Sequence, residues 1–133
     1  MPNGPIPSNI HLHKHSAELE LGYSHADSAD ESYRLSCEYL RVFSPSAEVR
    51  GHGQGQEVLQ TGKKYVNIDS IEATGNYAIQ ITFSDGHDTG IYSWDYLYDL
   101  CTKQEAKWQD YLQRLAEEDG SREPNSDPII FKS

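Results

Sequence analysis

The sequence predicts an α+β fold: a small, mainly antiparallel β-sheet, a short helix after the third strand, and two C-terminal helices. Three observations lead there. Apolar residues first alternate with polar ones, the period of half-buried strands. From residue 93 onward the period becomes i, i+3, i+4, that of amphipathic helices. Strands first and helices last is the order of an antiparallel sheet with its helices gathered at one end.

Ile10 and Leu12 alternate with His11 and His13, and Leu19, Leu21 and Tyr23 alternate with Glu18, Glu20 and Gly22. The link from Lys14 to Ala17 is short enough for a hairpin. Ser32 to Ser36 reads as a third strand, followed by a helical turn over Glu38 to Val42. Val66 and Ile68 alternate with Asn67 and Asp69, and Ala73-Thr74-Gly75-Asn76 makes a turn. The clearest strand follows, with Tyr77, Ile79, Ile81 and Phe83 on one face. Ser84-Asp85-Gly86-His87-Asp88 is a turn, because Asp-Gly supplies left-handed backbone. Gly90 to Tyr92 is one more short strand. Ser93 then caps a helix whose apolar stripe is Trp94, Leu97, Tyr98 and Cys101. Thr102-Lys103-Gln104-Glu105 has capping-box spacing and opens a second helix, striped by Trp108, Tyr111, Leu112 and Leu115.

A chain of 133 residues fits one domain with some tail. The expected division is a flexible tail over 1–9, a single domain over 10–118 and a flexible acidic tail over 119–133. Within the last, Ile129-Ile130-Phe131 is an apolar patch expected to dock back on the domain, the alternative being a partner. Eleven basic against twenty-one acidic residues give a net charge of −10, the wrong sign for a phosphate-binding surface, which argues against nucleic acid. Residues 65–102 hold six acids and no Lys or Arg. That stretch suits a cation or a basic partner, and the plainer reading is a solvated surface. No apolar run approaches the roughly 18 residues of a membrane span. The N-terminus lacks the basic start and apolar stretch of a secretory signal. Cys37 and Cys101 are too few for a disulfide framework, so the expected location is the cytoplasm.

Few constellations point to chemistry. His11, His13 and His15 lie on one face of the first strand, a spacing that suits a transition metal or a solvated polar row. His25-Ala26-Asp27 matches only part of a non-haem iron triad. Gly51-His52-Gly53-Gln54-Gly55 lacks the Lys and Ser/Thr of a P-loop and reads as a loop. Cys37 and Cys101 read as buried and inert. Asp85, His87 and Asp88 on one tight turn suit a divalent cation.

The segments Glu38–His52, Gly75–Ile79 and Phe83–Trp94 closely resemble the small bacterial DUF971 proteins, also called gamma-butyrobetaine-hydroxylase-like N-terminal domains. The resemblance runs from about Ile10 to Leu100. In the hydroxylases the module precedes the oxygenase barrel and binds a structural zinc through a Cys-Pro-Cys-x-x-Cys segment and a later histidine. It implies that the cysteine positions fall on Ser44, Ser46 and Val49 and the histidine on His87. Only the histidine is a zinc ligand, so the four-ligand site is expected to be missing. The iron and 2-oxoglutarate residues belong to the barrel, so hydroxylase activity does not transfer. The module also resembles the tail of some Mrp-type P-loop ATPases that carry iron–sulfur clusters, which implies an accessory role in cluster assembly.

Two readings follow. The first is a non-catalytic binding or adaptor domain with no cofactor, meeting an oxygenase-like or P-loop ATPase protein through exposed aromatics, Tyr92, Trp94, Tyr96 and Tyr98. The second is a metal-binding accessory protein taking iron or zinc at His87 with Asp85 and Asp88, near Ser44, Ser46 and His52.

Overall fold

Alternating side chains build two three-stranded antiparallel sheets. The computed structural model describes residues 5–25, 29–51 and 57–124. In the first sheet β1 (Asn9–His13), β2 (Glu18–Tyr23) and β3 (Glu31–Ser36) lie in sequence order. Leu19, Leu21, Tyr23 and Leu35 point inward and are fully buried, while Glu18, Glu20 and Arg34 form the outer face. In the second sheet β4 (Ile68–Thr74), β5 (Ala78–Phe83) and β6 (Ile91–Ser93) are also in sequence order, with a bulge between Ile68 and Ser70. The α+β class and the antiparallel pairing are those the sequence predicts; the strands are shared between two sheets.

Helix α1 (Cys37–Val42) starts where β3 ends, because Ser36 Oγ accepts the Tyr39 N–H at 3.0 Å. A one-turn helix, α2 (Ala47–Arg50), follows and was not expected. Ser93 caps α3 (Trp94–Thr102) as predicted, its hydroxyl accepting the Tyr96 N–H. The capping box ahead of α4 (Gln104–Glu117) does not form. Lys103 holds the cap position without a side-chain bond, and the Thr102 hydroxyl donates back to the carbonyls of Tyr98 and Asp99. That back-bonding competes with capping.

The core joins the inner faces of both sheets to α1 and α3 through Leu40, Ile68, Ile81, Phe83, Leu97 and Leu100. Val42, Tyr111 and Leu115 form a smaller cluster beneath α4. Tyrosine hydroxyls tie the C-terminal end of α1 to the later elements. Tyr92 Oη donates to the Leu40 carbonyl and Tyr96 Oη to the Phe43 carbonyl, each at 2.6 Å. Tyr39 Oη donates to the Leu100 carbonyl at 2.8 Å. These carbonyls are among those a helix end leaves without an internal partner.

Two expectations are corrected. His15 lies in the hairpin turn, so only His11 and His13 belong to β1; their rings stack at 4.3 Å, and His13 Nε2 meets Glu20 at 2.7 Å. The chain after α4 is a strap as far as it is described: the N–H groups of Gly62 and Lys64 donate to the carbonyls of Ser121 and Arg122 at 2.9 and 3.0 Å. Asp119 to Pro124 is therefore laid on the domain, because backbone pairing and an ion pair to Glu38 replace the apolar contacts that its composition lacks. Ile129-Ile130-Phe131 lies outside the described residues. Among the described residues no helix is long and apolar enough to cross a membrane.

Candidate functional site

The turn between β5 and β6 positions the candidate histidine. Gly86 takes φ +91°, and the Phe83 N–H donates to the His87 carbonyl at 2.9 Å, closing the loop. His87 is thereby aimed at the segment between α1 and α2. Its Nε2 lies 2.9 Å from Ser44 Oγ and 3.3 Å from Ser46 Oγ. Both serines are buried. The Ser46 N–H also donates to Ser44 Oγ, and a side chain at Gly90 would collide with that same hydroxyl. Burial, then the Arg41 guanidinium, holds the imidazole below its ordinary pKa.

Three of the four positions implied for zinc are thus brought together, and their chemistry does not fit the metal. Two neutral hydroxyls stand where thiolates would be needed, and Val49 is a buried apolar side chain with no donor. The hydroxyls and the imidazole satisfy one another instead, giving a hydrogen-bonded clasp. Ser44 Oγ also accepts the Ser46 N–H and sits beneath Gly90.

The carboxylates expected beside His87 have other partners. One oxygen of Asp85 accepts from Arg41 Nε at 2.9 Å and Lys63 Nζ at 2.8 Å, and the other from the His87 N–H at 3.1 Å. Burial raises its pKa, but the Lys63 hydrogen bond, the His87 N–H and Arg41 outweigh it and bring the carboxyl to about 2. Arg41 is itself buried and donates its second arm to Gln60 Oε1 at 3.0 Å. The Asp88 carbonyl takes the Gln80 side-chain amide, while its residue stays exposed. Asp85, His87 and Asp88 share the wall of a cavity of about 350 Å³. Even so, among the described residues no three His, Cys, Asp or Glu side chains are grouped to hold a metal ion.

The expected aromatic surface is corrected at Tyr92 and Trp94. Tyr92 is fully buried, and Trp94 is 8% exposed with its indole N–H on the Asn76 carbonyl at 2.8 Å. Tyr96 holds Phe43, and Tyr98 Oη donates to Glu31 at 2.9 Å while its ring packs edge-on against Tyr23. β6 turns residue 92 inward and α3 lies on the sheets, so these rings staple the fold. The acidic stretch is likewise met from outside: Arg41 and Lys63 pair with Asp85, and Lys103 and Lys107 with Asp99. Cys37 and Cys101 are buried, and burial pushes their thiols up to about 11 and 12. His25 Nε2 meets Glu31 at 3.1 Å, whereas Ala26, Asp27, His52 and residues 53–55 lie outside the described residues.

One feature escapes sequence reading. A groove of about 580 Å³ runs between the α1–α2 corner, residues 57–60 and α4, with Phe43, Val58, Leu59 and Tyr111 in its walls. Val58 is 51% exposed. Arg50 and Lys107 lie over the Tyr96 and Phe43 rings, each 5.5 Å from the centroid. The one available signal was Val58-Leu59 in a stretch with no period of its own.

This architecture matches a known family. The family described as gamma-butyrobetaine hydroxylase-like, N-terminal, covers residues 10–98. The chain belongs to that family. The gamma-butyrobetaine hydroxylase-like N-terminal match runs from β1 into α3, so α4 and the strap lie beyond it. A protein solved by NMR in solution is 46% identical over 97% of this chain and 98% of its own, with a TM-score of 0.77. A second NMR structure is 44% identical over 100% of this chain and 98% of its own, at 0.75. A crystal structure of a DUF971 family protein of unknown function from Acidithiobacillus ferrooxidans is 36% identical over 71% of this chain and 90% of its own, at 0.56. No curated protein matches the chain.

Proposed function

We propose that this chain is a non-catalytic protein-binding module whose partner seats in the groove between the α1–α2 corner and α4. One observation carries the reading. Among the described residues His87 is engaged by two serines and Asp85 by two cations, while a groove of mixed apolar and charged lining lies beside them. Apolar walls flanked by cations (Arg50, Lys107, Arg114) and acids (Glu57, Asp110, Glu118) suit a protein segment that combines apolar side chains with charges of both signs. An oxygenase-like or P-loop ATPase protein is the first kind of partner to try, given the settings in which related modules occur.

Val58→Glu places a charge in the groove at a position that is already half exposed. It is expected to leave the thermal midpoint within about 2 °C, a surface-substitution effect of about 0.5 kcal/mol. Affinity for a co-purified or candidate partner should fall at least tenfold. Unchanged affinity would remove the groove. Bound metal should be measured on the same preparation, with His87→Ala alongside. Near-stoichiometric iron or zinc that is lost in the variant would replace this reading with that of a metal-binding accessory protein centred on His87.

A further inference from the structure

A carboxylate taken out of water needs a charged partner, and α1 carries one, Glu38, 5% exposed. Arg122 of the strap supplies the partner. Its Nε and Nη2 donate to the two Glu38 oxygens, each at 2.8 Å, in the parallel bidentate arrangement a guanidinium offers. The guanidinium also lies 5.3 Å from the Trp108 ring centroid. Ser36, Tyr39 and Gln104 complete a cavity of about 270 Å³.

The segment carrying Arg122 is held in a bend by two backbone bonds. Gly62 and Lys64 donate their backbone N–H groups to the consecutive carbonyls of Ser121 and Arg122, and the Glu123 N–H turns back to Ser121 Oγ at 3.0 Å. The Glu123 carboxylate then accepts from Lys64 Nζ at 2.7 Å and Tyr65 Oη at 3.4 Å. A buried carboxylate, an aromatic face, two backbone donors and a cation together read an arginine followed by an acid in a bent segment. Ser121, Arg122 and Glu123 contribute no apolar side chain to the core, and the chain enters them through Asp119 in left-handed backbone at φ +60°. A segment held at its rim by polar groups behaves as a tethered ligand more than as a layer of the fold.

We propose that the Glu38–Trp108 pocket is a recognition site for an arginine–acid pair in a segment of a protein partner, occupied here in cis by Arg122 and Glu123. The tether gives the cis segment an effective concentration of order millimolar, so a partner binds when the strap is released or outcompeted. The net charge of −10 favours approach of an arginine-bearing segment. The proposal does not depend on the groove.

The test uses the full chain with Arg122→Ala, which empties the pocket, and a capped synthetic peptide of residues 119–124, followed by NMR. Saturable shifts of the Gly62 and Lys64 amides and the Trp108 indole are expected. Binding should be at least tenfold weaker when lysine replaces the peptide's arginine, because the fork is lost. It should also be at least tenfold weaker on the unmodified chain, where the cis segment competes. A folded Arg122→Ala chain whose signals stay put to millimolar peptide overturns the proposal, as do equal affinities for the arginine and lysine peptides. If Arg122→Ala fails to fold, hydrogen exchange of the unmodified chain decides. Gly62 and Lys64 amides exchanging at least a hundredfold faster than Leu21 support release of the strap, and equal rates overturn it.

Discussion

Two tyrosine hydroxyls make bonds of equal length to carbonyls at the end of one short helix, and they should differ in worth. Tyr92→Phe removes a donor that is 0% exposed, leaving the Leu40 carbonyl without its partner and with no route for water to replace it. An acceptor left unpaired in the interior costs about 1–3 kcal/mol. The ring itself is kept, so no cavity adds to this. Tyr96→Phe removes the bond to Phe43, also 2.6 Å, from a half-buried side chain. Water can reach that carbonyl, so the loss is the net worth of an ordinary hydrogen bond, about 0.5–1 kcal/mol. With a urea slope of about 1–3 kcal/mol per molar, the Tyr92 variant should unfold about 1 M earlier than the parent, and the Tyr96 variant by less than half of that. Urea titration followed by tryptophan fluorescence at pH 7 measures both. Equal shifts, or a Tyr92 shift too small to resolve, would refute the argument that burial sets the cost.

The clasp gives a pH signature. Because His87 is held below its ordinary pKa, the unfolded chain binds its proton first as pH falls. The stability it contributes is full above the unfolded pKa of about 6.5 and is lost as pH falls through the folded value, at no more than about 1.4 kcal/mol per pH unit. The gap between wild type and His87→Gln should therefore narrow from pH 7.5 to 5, and parallel urea-midpoint curves would count against the buried neutral imidazole. Asp85→Asn strips buried Arg41 of its carboxylate and should lose about 2–3 kcal/mol at pH 7, below the range for a fully buried pair because Asp85 keeps 26% of its side chain exposed. Lys63→Met leaves that pair intact and should lose less than about 1 kcal/mol; similar losses would mean that Lys63 carries the load.

Much of the local structure was legible because a local signal carries it. Alternation places β2 and β5, Ser93 announces α3, and Asp85-Gly86 announces the turn that aims His87. Periodicity reports which side chains share a face and says nothing about which strand edge lies beside which, so the division into two sheets was invisible. Tyr92 read as surface for a similar reason: a three-residue strand has too few residues to display its inward face. The meeting of Ser44 and Ser46 with His87 spans 43 and 41 positions and came into view only through family resemblance. The strap was misread because its composition is that of a tail, while its anchor, Glu38, lies 84 positions away.

The tyrosine bonds around α1 also bear on the order in which the chain can fold. A six-residue helix has no independent stability in water. Its carbonyls at Leu40 and Phe43 receive donors from residues 52 and 53 positions downstream, and its own Tyr39 reaches 61 positions to Leu100. α1 therefore cannot nucleate folding, although it stands among the first elements of the chain. It becomes persistent only after β6 and α3 have been synthesised and docked. Its formation waits on closure of a loop of some fifty residues, and it should carry low φ-values in the transition state. Because the same bonds join the helix following the first sheet to elements of the second, neither sheet gains its full stability without the other, and the two are bound to fold and unfold as one cooperative unit.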